Sequence, residues 1–111
     1  MRELEREGPL VTTEIGAFEL YLGIQNLGDH RKDAERARIK SLLGKMEVLP
    51  LERRSAIRAA EIAGGTRRRG RSIGLTDLFT AAIALAHGGD TIVTRDVEDF
   101  QRVPELRVES Y

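Results

Sequence analysis

Cysteine is absent from the 111 residues of this chain, and with it go disulfides, thiolate metal sites and thiol nucleophiles. That absence suits a reducing compartment. An excess of one charge is missing too: 18 Lys plus Arg balance 18 Asp plus Glu. No global field therefore draws the molecule to nucleic acid or to a membrane surface, and any polyanion contact has to come from a local patch. Aromatics are few, Tyr21, Tyr111 and three Phe, and none interleaves with the basic segment as a base-stacking platform does. The longest mostly apolar stretch, Leu78 to Ala86, is too short to span a bilayer, and the opening MRELEREG is charged where a signal peptide is apolar. The expectation is a soluble, cytoplasmic protein with no membrane association. Glycine-rich phosphate loops are lacking as well. Gly23 and Gly28 have P-loop spacing, but Asp29-His30 follows in place of Lys and Ser or Thr. No serine stands in a nucleophile-elbow context, so acyl transfer has no support.

What is present is enough for one core. A chain of this length with 41% hydrophobic residues reads as a single domain over 1–111. Met1 to Gly8 resembles a helix tail stopped by Gly8-Pro9. Leu10-Val11-Thr12 reads as a strand, and Thr13 as the cap of a helix carrying Ile15, Phe18 and Leu22 on one face. A charged, mostly exposed helix follows over Lys32 to Leu43, ending at Gly44, and then a strand at Met46 to Leu49. Leu51 to Ala63 is predicted as a helix with Ile57, Ala60 and Ala63 on one face, stopped by Gly64-Gly65, and Thr66 to Gly74 as a basic loop or frayed helical turn. Thr76 to Ala86 is apolar almost all round, the mark of a buried helix, with Gly88-Gly89 as its stop. Thr91 to Thr94 reads as a buried parallel strand, a helical turn ends near Pro104, and Leu106 to Val108 closes as an edge strand. Strands alternating with helices predict an α/β fold with a mainly parallel sheet.

Three carboxylates stand out. Glu19 lies four residues after Ile15, on the face that also bears Phe18 and Leu22. An ionised carboxylate there needs a cation, a metal or several donors, although a rim residue paired with arginine also accounts for it. Asp77 opens the most apolar helix, where the helix N-terminus favours a negative charge and a local cap suffices as an explanation. Along its own face lie Thr80, Ala81 and Ala84, all small, leaving room for another element or a substrate. Asp96 follows the strand TIVT, at the end of a parallel strand where open α/β sheets place their ligands. With Asp99 it also has the form of a helix N-cap and acidic first turn. If these acids converge, an oxygen-only ligand set suits Mg2+ or Mn2+ over zinc, and the chemistry it supports is phosphodiester hydrolysis.

In this order the chain resembles the PIN domain family, in particular the toxins of VapBC-type toxin–antitoxin pairs. LVTTEIGAFELYLGI, RRRGRSIGLTDLFTAAIALAHG and TIVTRDVEDFQRVPELRVESY carry the likeness. The resemblance implies a three-layer α/β/α sandwich and metal-dependent cleavage of RNA. It also implies dimerisation and control by a small antitoxin. It makes Glu19, Asp77 and Asp96 the catalytic and metal-binding acids, with Asp99 as a further metal candidate. The family begins with a strand ending in Asp, and nothing in MRELEREGP matches it. The resemblance therefore implies an N-terminally incomplete domain, a break between the TTEIG and TIVT strands, and weak or no cleavage by the chain as it stands.

Arg67, Arg68, Arg69 and Arg71 form a basic patch able to hold RNA phosphates, and a solvated helix end explains them as well. Two rivals belong to other classes. A helix-turn-helix DNA-binding protein has the outline AAEIAGGT plus a basic run, but its recognition helix, Thr76 to Ala86, is too apolar for a groove. A non-catalytic toxin remnant that only binds an antitoxin or oligomerises is the stronger alternative. His30, in a polar turn, and His87, at a helix end, read as structural.

Overall fold

A computed structural model describes residues 10–89, 91–93, 100–103 and 105–109. Strand β1, Leu10–Thr13, runs directly into helix α1, Glu14–Gly23. Thr13 is the hinge between them: its backbone is extended and its Oγ1 accepts the N–H of Gly16 at 3.1 Å, satisfying one of the open donors of the first turn. Gly16 is needed for closeness, since a Cβ there would stand 2.6 Å from Thr12 Oγ1.

Helix α1 departs from the expected burial. Phe18 and Leu22 are 52% and 55% exposed, whereas Ala17 within the helix and Ile24 at its end are buried. The face that carries Glu19 is therefore uncovered, because the neighbouring elements meet α1 on its other side. Helix α2, Asp29–Gly44, starts three residues earlier than predicted, with Gly28 as its N-cap. Only Ile39 along it is buried, as its charged composition implies. Strand β2, Met46–Leu49, then pairs in parallel with β1, from Leu10 opposite Met46 to Thr13 opposite Leu49. A parallel pair needs a long crossover, and α1 with α2 supplies it.

Helix α3, Arg53–Arg68, and helix α4, Leu75–Ala86, form an antiparallel hairpin that holds most of the core. Gly64-Gly65 does not stop α3. Two interior glycines cost roughly 2 kcal/mol relative to alanine. Ile62 and Thr66, on either side of them, are only 4% and 2% exposed. Burying one large aliphatic side chain returns about 1.5–3 kcal/mol, so tertiary packing carries the helix through. The buried face is also not the predicted one: Ser55, Ala59, Ile62 and Thr66 point inward, while Ile57 is 56% exposed. The helix ends instead at the turn formed by Gly70, whose φ of 71° is easily reached only by a residue without a side chain.

In α4 the expectation of a buried helix holds: Ala81, Ala82 and Ile83 are fully buried. Gly88, at φ 84°, and the Gly89 N–H bonded to the Ala84 carbonyl at 2.9 Å close it. Strand β3, Thr91–Val93, pairs in parallel with β4, Arg107–Glu109. Between them Phe100 and Val103 insert into the α3–α4 core with Leu106. Helices packed over parallel strand pairs give the α/β sandwich that the strand and helix order predicts. Among the described residues the strands form two separate two-stranded sheets, β1–β2 and β3–β4. The predicted helix tail of residues 1–8, Thr94 and Pro104 lie outside the described residues.

Candidate active site

Glu19 projects from the exposed side of α1. It is not the buried carboxylate that its neighbours Phe18 and Leu22 suggest, so no burial penalty demands a partner for it. Asp77 is different. It sits in the first turn of α4, whose N-cap Gly74 offers no side chain to the open N–H groups. Its carboxylate folds back toward that end: a Cβ on Gly74 would meet Asp77 Oδ2 at 3.6 Å. The helix N-terminus stabilises a negative charge placed there. Asp77 is partly buried, and helix α4, which carries it, packs against α1. Of the small residues along its face, Ala81 is spent on close packing against the core, whereas Thr80 and Ala84 remain partly accessible.

Asp96 and Asp99 lie outside the described residues. Among the described residues no three His, Asp or Glu side chains gather as a metal-holding group. The described part of the acidic set is thus one exposed carboxylate on α1 and one helix-terminal carboxylate on α4. Both are oxygen donors of the kind that hard divalent cations take.

Beside the start of α4 lies the basic turn. Arg67 and Arg68 end α3, Arg69 caps it, and Arg71 follows Gly70; all four side chains are exposed. Thr66, fully buried beneath them, anchors the turn through its carbonyl, which accepts the N–H groups of Arg69 at 3.2 Å and Arg71 at 2.9 Å. Arg102 joins this turn without any signal in the linear sequence. Its Nη1 donates to the Ser72 carbonyl at 2.8 Å, and its own carbonyl accepts from Arg69 Nη2 at 3.4 Å. The partners are 30 and 33 residues away, so only the packing of Phe100 and Val103 brings them together. His30 is exposed in the first turn of α2, and His87 bonds to the α4 carbonyl of Ile83 at 2.9 Å.

The helix-turn-helix reading fails on this geometry. Its recognition helix would be α4, whose Leu78, Ala81, Ala82 and Ile83 are buried in the protein's own core and cannot enter a groove. No described helix is long and apolar enough to cross a membrane.

Parallel strand pairs under packed helices form the α/β sandwich that the sequence outlines. Residues 1–106 match the PIN domain model, and the chain belongs to the PIN domain family. It is 23% identical over 108 residues to Ribonuclease VapC2 of Rickettsia felis, covering 97% of this chain and 78% of that protein. It is 28% identical over 73 residues to the tRNA(fMet)-specific endonuclease VapC of Salmonella typhimurium, covering 66% of this chain and 54% of that protein. In structure it resembles VapBC-1 from nontypeable Haemophilus influenzae. That likeness has a TM-score of 0.82 at 25% identity and covers 95% of this chain and 76% of the other.

Proposed function

We propose that this PIN domain is an endoribonuclease toxin subunit, cleaving RNA phosphodiester bonds under the control of a small antitoxin. The observation that carries the reading is the match of nearly the whole chain to a protein named as a ribonuclease. The VapBC structure it resembles supports the antitoxin. The position of Asp77 adds a physical argument, since a carboxylate held at a helix terminus over a fixed core is a preorganised ligand. Glu19, Asp77 and Asp96 are the proposed Mg2+ or Mn2+ ligands, with Asp99 beside them. A bound divalent ion supplies charge neutralisation at the phosphate and an acidified water. The chain's own contribution is to present hard oxygen donors and to offer the cations of Arg67, Arg68, Arg69 and Arg71 to RNA phosphates. The protein works as a homodimer in the cytoplasm, where its RNA is.

The test is cleavage of RNA by the purified protein with Mg2+ or Mn2+, alongside Asp77→Asn and Asp96→Asn. Cleavage that survives both a chelator and Asp96→Asn overturns the mechanism. One observation favours a second reading, a binding-only protein that holds an antitoxin. Among the described residues the β1–β2 and β3–β4 pairs are separate, so their strand hydrogen bonds do not tie α1 to the segment after β3. That reading predicts capture of an antitoxin with no cleavage under any metal.

A further inference from the structure

The basic turn is held from two sides. On one side the chain leaves α3 through buried Thr66, Gly70 donates to the Arg67 carbonyl at 3.0 Å, and Arg71 donates to that of Thr66 at 2.9 Å. On the other side Ile73 packs against the α3–α4 core, Gly74 caps α4, and Arg102 donates to the Ser72 carbonyl at 2.8 Å. Arg102 is well placed to act as a post, because Phe100 and Val103 on either side of it are buried in the α3–α4 core. Arg69 returns the interaction, reaching the Arg102 carbonyl at 3.4 Å. The two arginines thus form a reciprocal clasp, each donating to backbone on the other's segment.

The four arginines of the turn are consequently not equivalent. The guanidinium groups of Arg68 and Arg69 lie back along α3 over Gly64 and Gly65: a Cβ on either glycine would meet an Nη1 at 3.4 Å. Arg69 gives one Nη2 donor to the clasp, and its side chain is otherwise exposed. Arg67 and Arg71 do not lie over Gly64 or Gly65 in this way.

We infer that Arg102 is a positioning residue that orders the basic turn for RNA, with Arg69 as its partner in the clasp. The inference rests on the proposed reading of the turn as an RNA-binding element. Its mechanism is entropic. A turn already fixed before binding gives up less conformational freedom when phosphates engage it, and loosening the turn raises the dissociation constant while every phosphate-binding cation stays in place.

Salt dependence separates positioning from direct engagement, because deleting one phosphate-binding cation flattens the slope of log K against log salt by about 0.7 for a single strand. The probe is a fluorescein-labelled single-stranded RNA followed by anisotropy across a salt series, with the full chain and its variants. Arg102→Ala is expected to weaken binding about three- to tenfold with the slope unchanged, and in an Arg69→Ala background to weaken it no further. Arg102→Lys, which restores a donor, is expected to recover part of the affinity. Arg67→Ala and Arg71→Ala should instead flatten the slope. A flatter slope for Arg102→Ala, or unchanged affinity, overturns the inference. Amide exchange supplies a readout that needs no RNA. In Arg102→Ala, Gly70 and Arg71 should exchange faster while amides of buried α4 do not, and unaltered exchange at Gly70 and Arg71 overturns the clasp. Accelerated exchange in a protein that binds no RNA supports the clasp and overturns the RNA reading and the role built on it.

Discussion

The imidazole of His87 and the carboxylate of Glu52 meet across the open end of the α3–α4 hairpin, with Nε2 3.4 Å from Oε1. His87 caps the end of α4 and Glu52 the start of α3, so the pair ties the last turn of one helix to the first turn of the other. Glu52 has further duties. It forms a reciprocal capping pair with Ser55, whose Oγ accepts the Glu52 N–H at 3.4 Å, and it takes Arg54 Nε at 2.7 Å. Glu52→Ala should therefore cost about 1–2 kcal/mol through removal of the cap. Arg54→Ala should cost under about 0.5 kcal/mol, because an exposed ion pair is largely screened. Urea unfolding midpoints of the two variants check the order, and equal destabilisation would contradict it.

Burial on α3 gives a sharper contrast. Ile62 is 4% exposed and Ile57 56% exposed, although both are isoleucines of one helix. Ile62→Ala should destabilise by about 2–5 kcal/mol, through forfeited transfer energy and the cavity left behind. Ile57→Ala should stay below about 1 kcal/mol. A chemical-denaturation series with both variants decides whether the inward face is the one that carries Ser55, Ala59, Ile62 and Thr66.

The β1–α1 junction couples three neighbours. A methyl group on Gly16 would stand 2.6 Å from Thr12 Oγ1, and the Gly16 N–H is the one that Thr13 caps. Gly16→Ala should destabilise by about 1–3 kcal/mol through overpacking, and Thr12→Ala should relieve much of that in the double variant. Strict additivity in thermal melts would show that the close approach is not the cause.

Catalysis is predicted to depend on both Asp77 and Glu19. Asp77→Asn and Glu19→Gln should each lower kcat for RNA cleavage by roughly 10²–10³-fold, as removal of one electrostatic stabiliser typically does. Melting temperatures should be nearly unchanged for Glu19→Gln, since the side chain is exposed. Chelation should abolish the activity, and added Mn2+ should restore it in the parent protein. Full activity of Glu19→Gln would remove that residue from the site.

On α2, Arg38 donates to Glu35 at 2.7 Å, and this bond holds the Glu35 carboxyl below the ordinary glutamate value. A lowered folded-state pKa contributes stability that is present above the unfolded value and fades as pH falls through the folded one. The pair is open to solvent, with its side chains 65% and 37% accessible, so the contribution is small. A carboxyl-detected NMR titration should show Glu35 titrating to lower pH than in Arg38→Ala, with no resolvable difference in the neutral-pH melting temperature of the two proteins.

Sequence signals are legible in this chain where they act within a few residues. Thr13 caps α1, Met46 to Leu49 pairs as a strand, and Gly88-Gly89 ends α4; the two helix ends are set by hydrogen bonds to near neighbours. Face assignments fail for the opposite reason. Phe18, Leu22 and Ile57 have helical spacing and apolar side chains, but spacing does not say which face another element will cover. Asp77 is legible because a carboxylate at the start of a buried helix is itself a local pattern. Arg102 is not, since its meaning depends on residues 30 and 33 positions away.

The balanced charge, the lack of cysteine, the alternation of strands and helices and the family-like acidic strings are properties of the sequence by itself. They follow from composition and from periodicities of one or two turns. Tertiary structure alone decided that α3 continues through two glycines, that Glu19 faces solvent, and that Arg69 and Arg102 clasp the basic turn. In each case the deciding influence is which surface a distant segment covers or which hydrogen bond it supplies, and that influence outweighs the local preference it overrides.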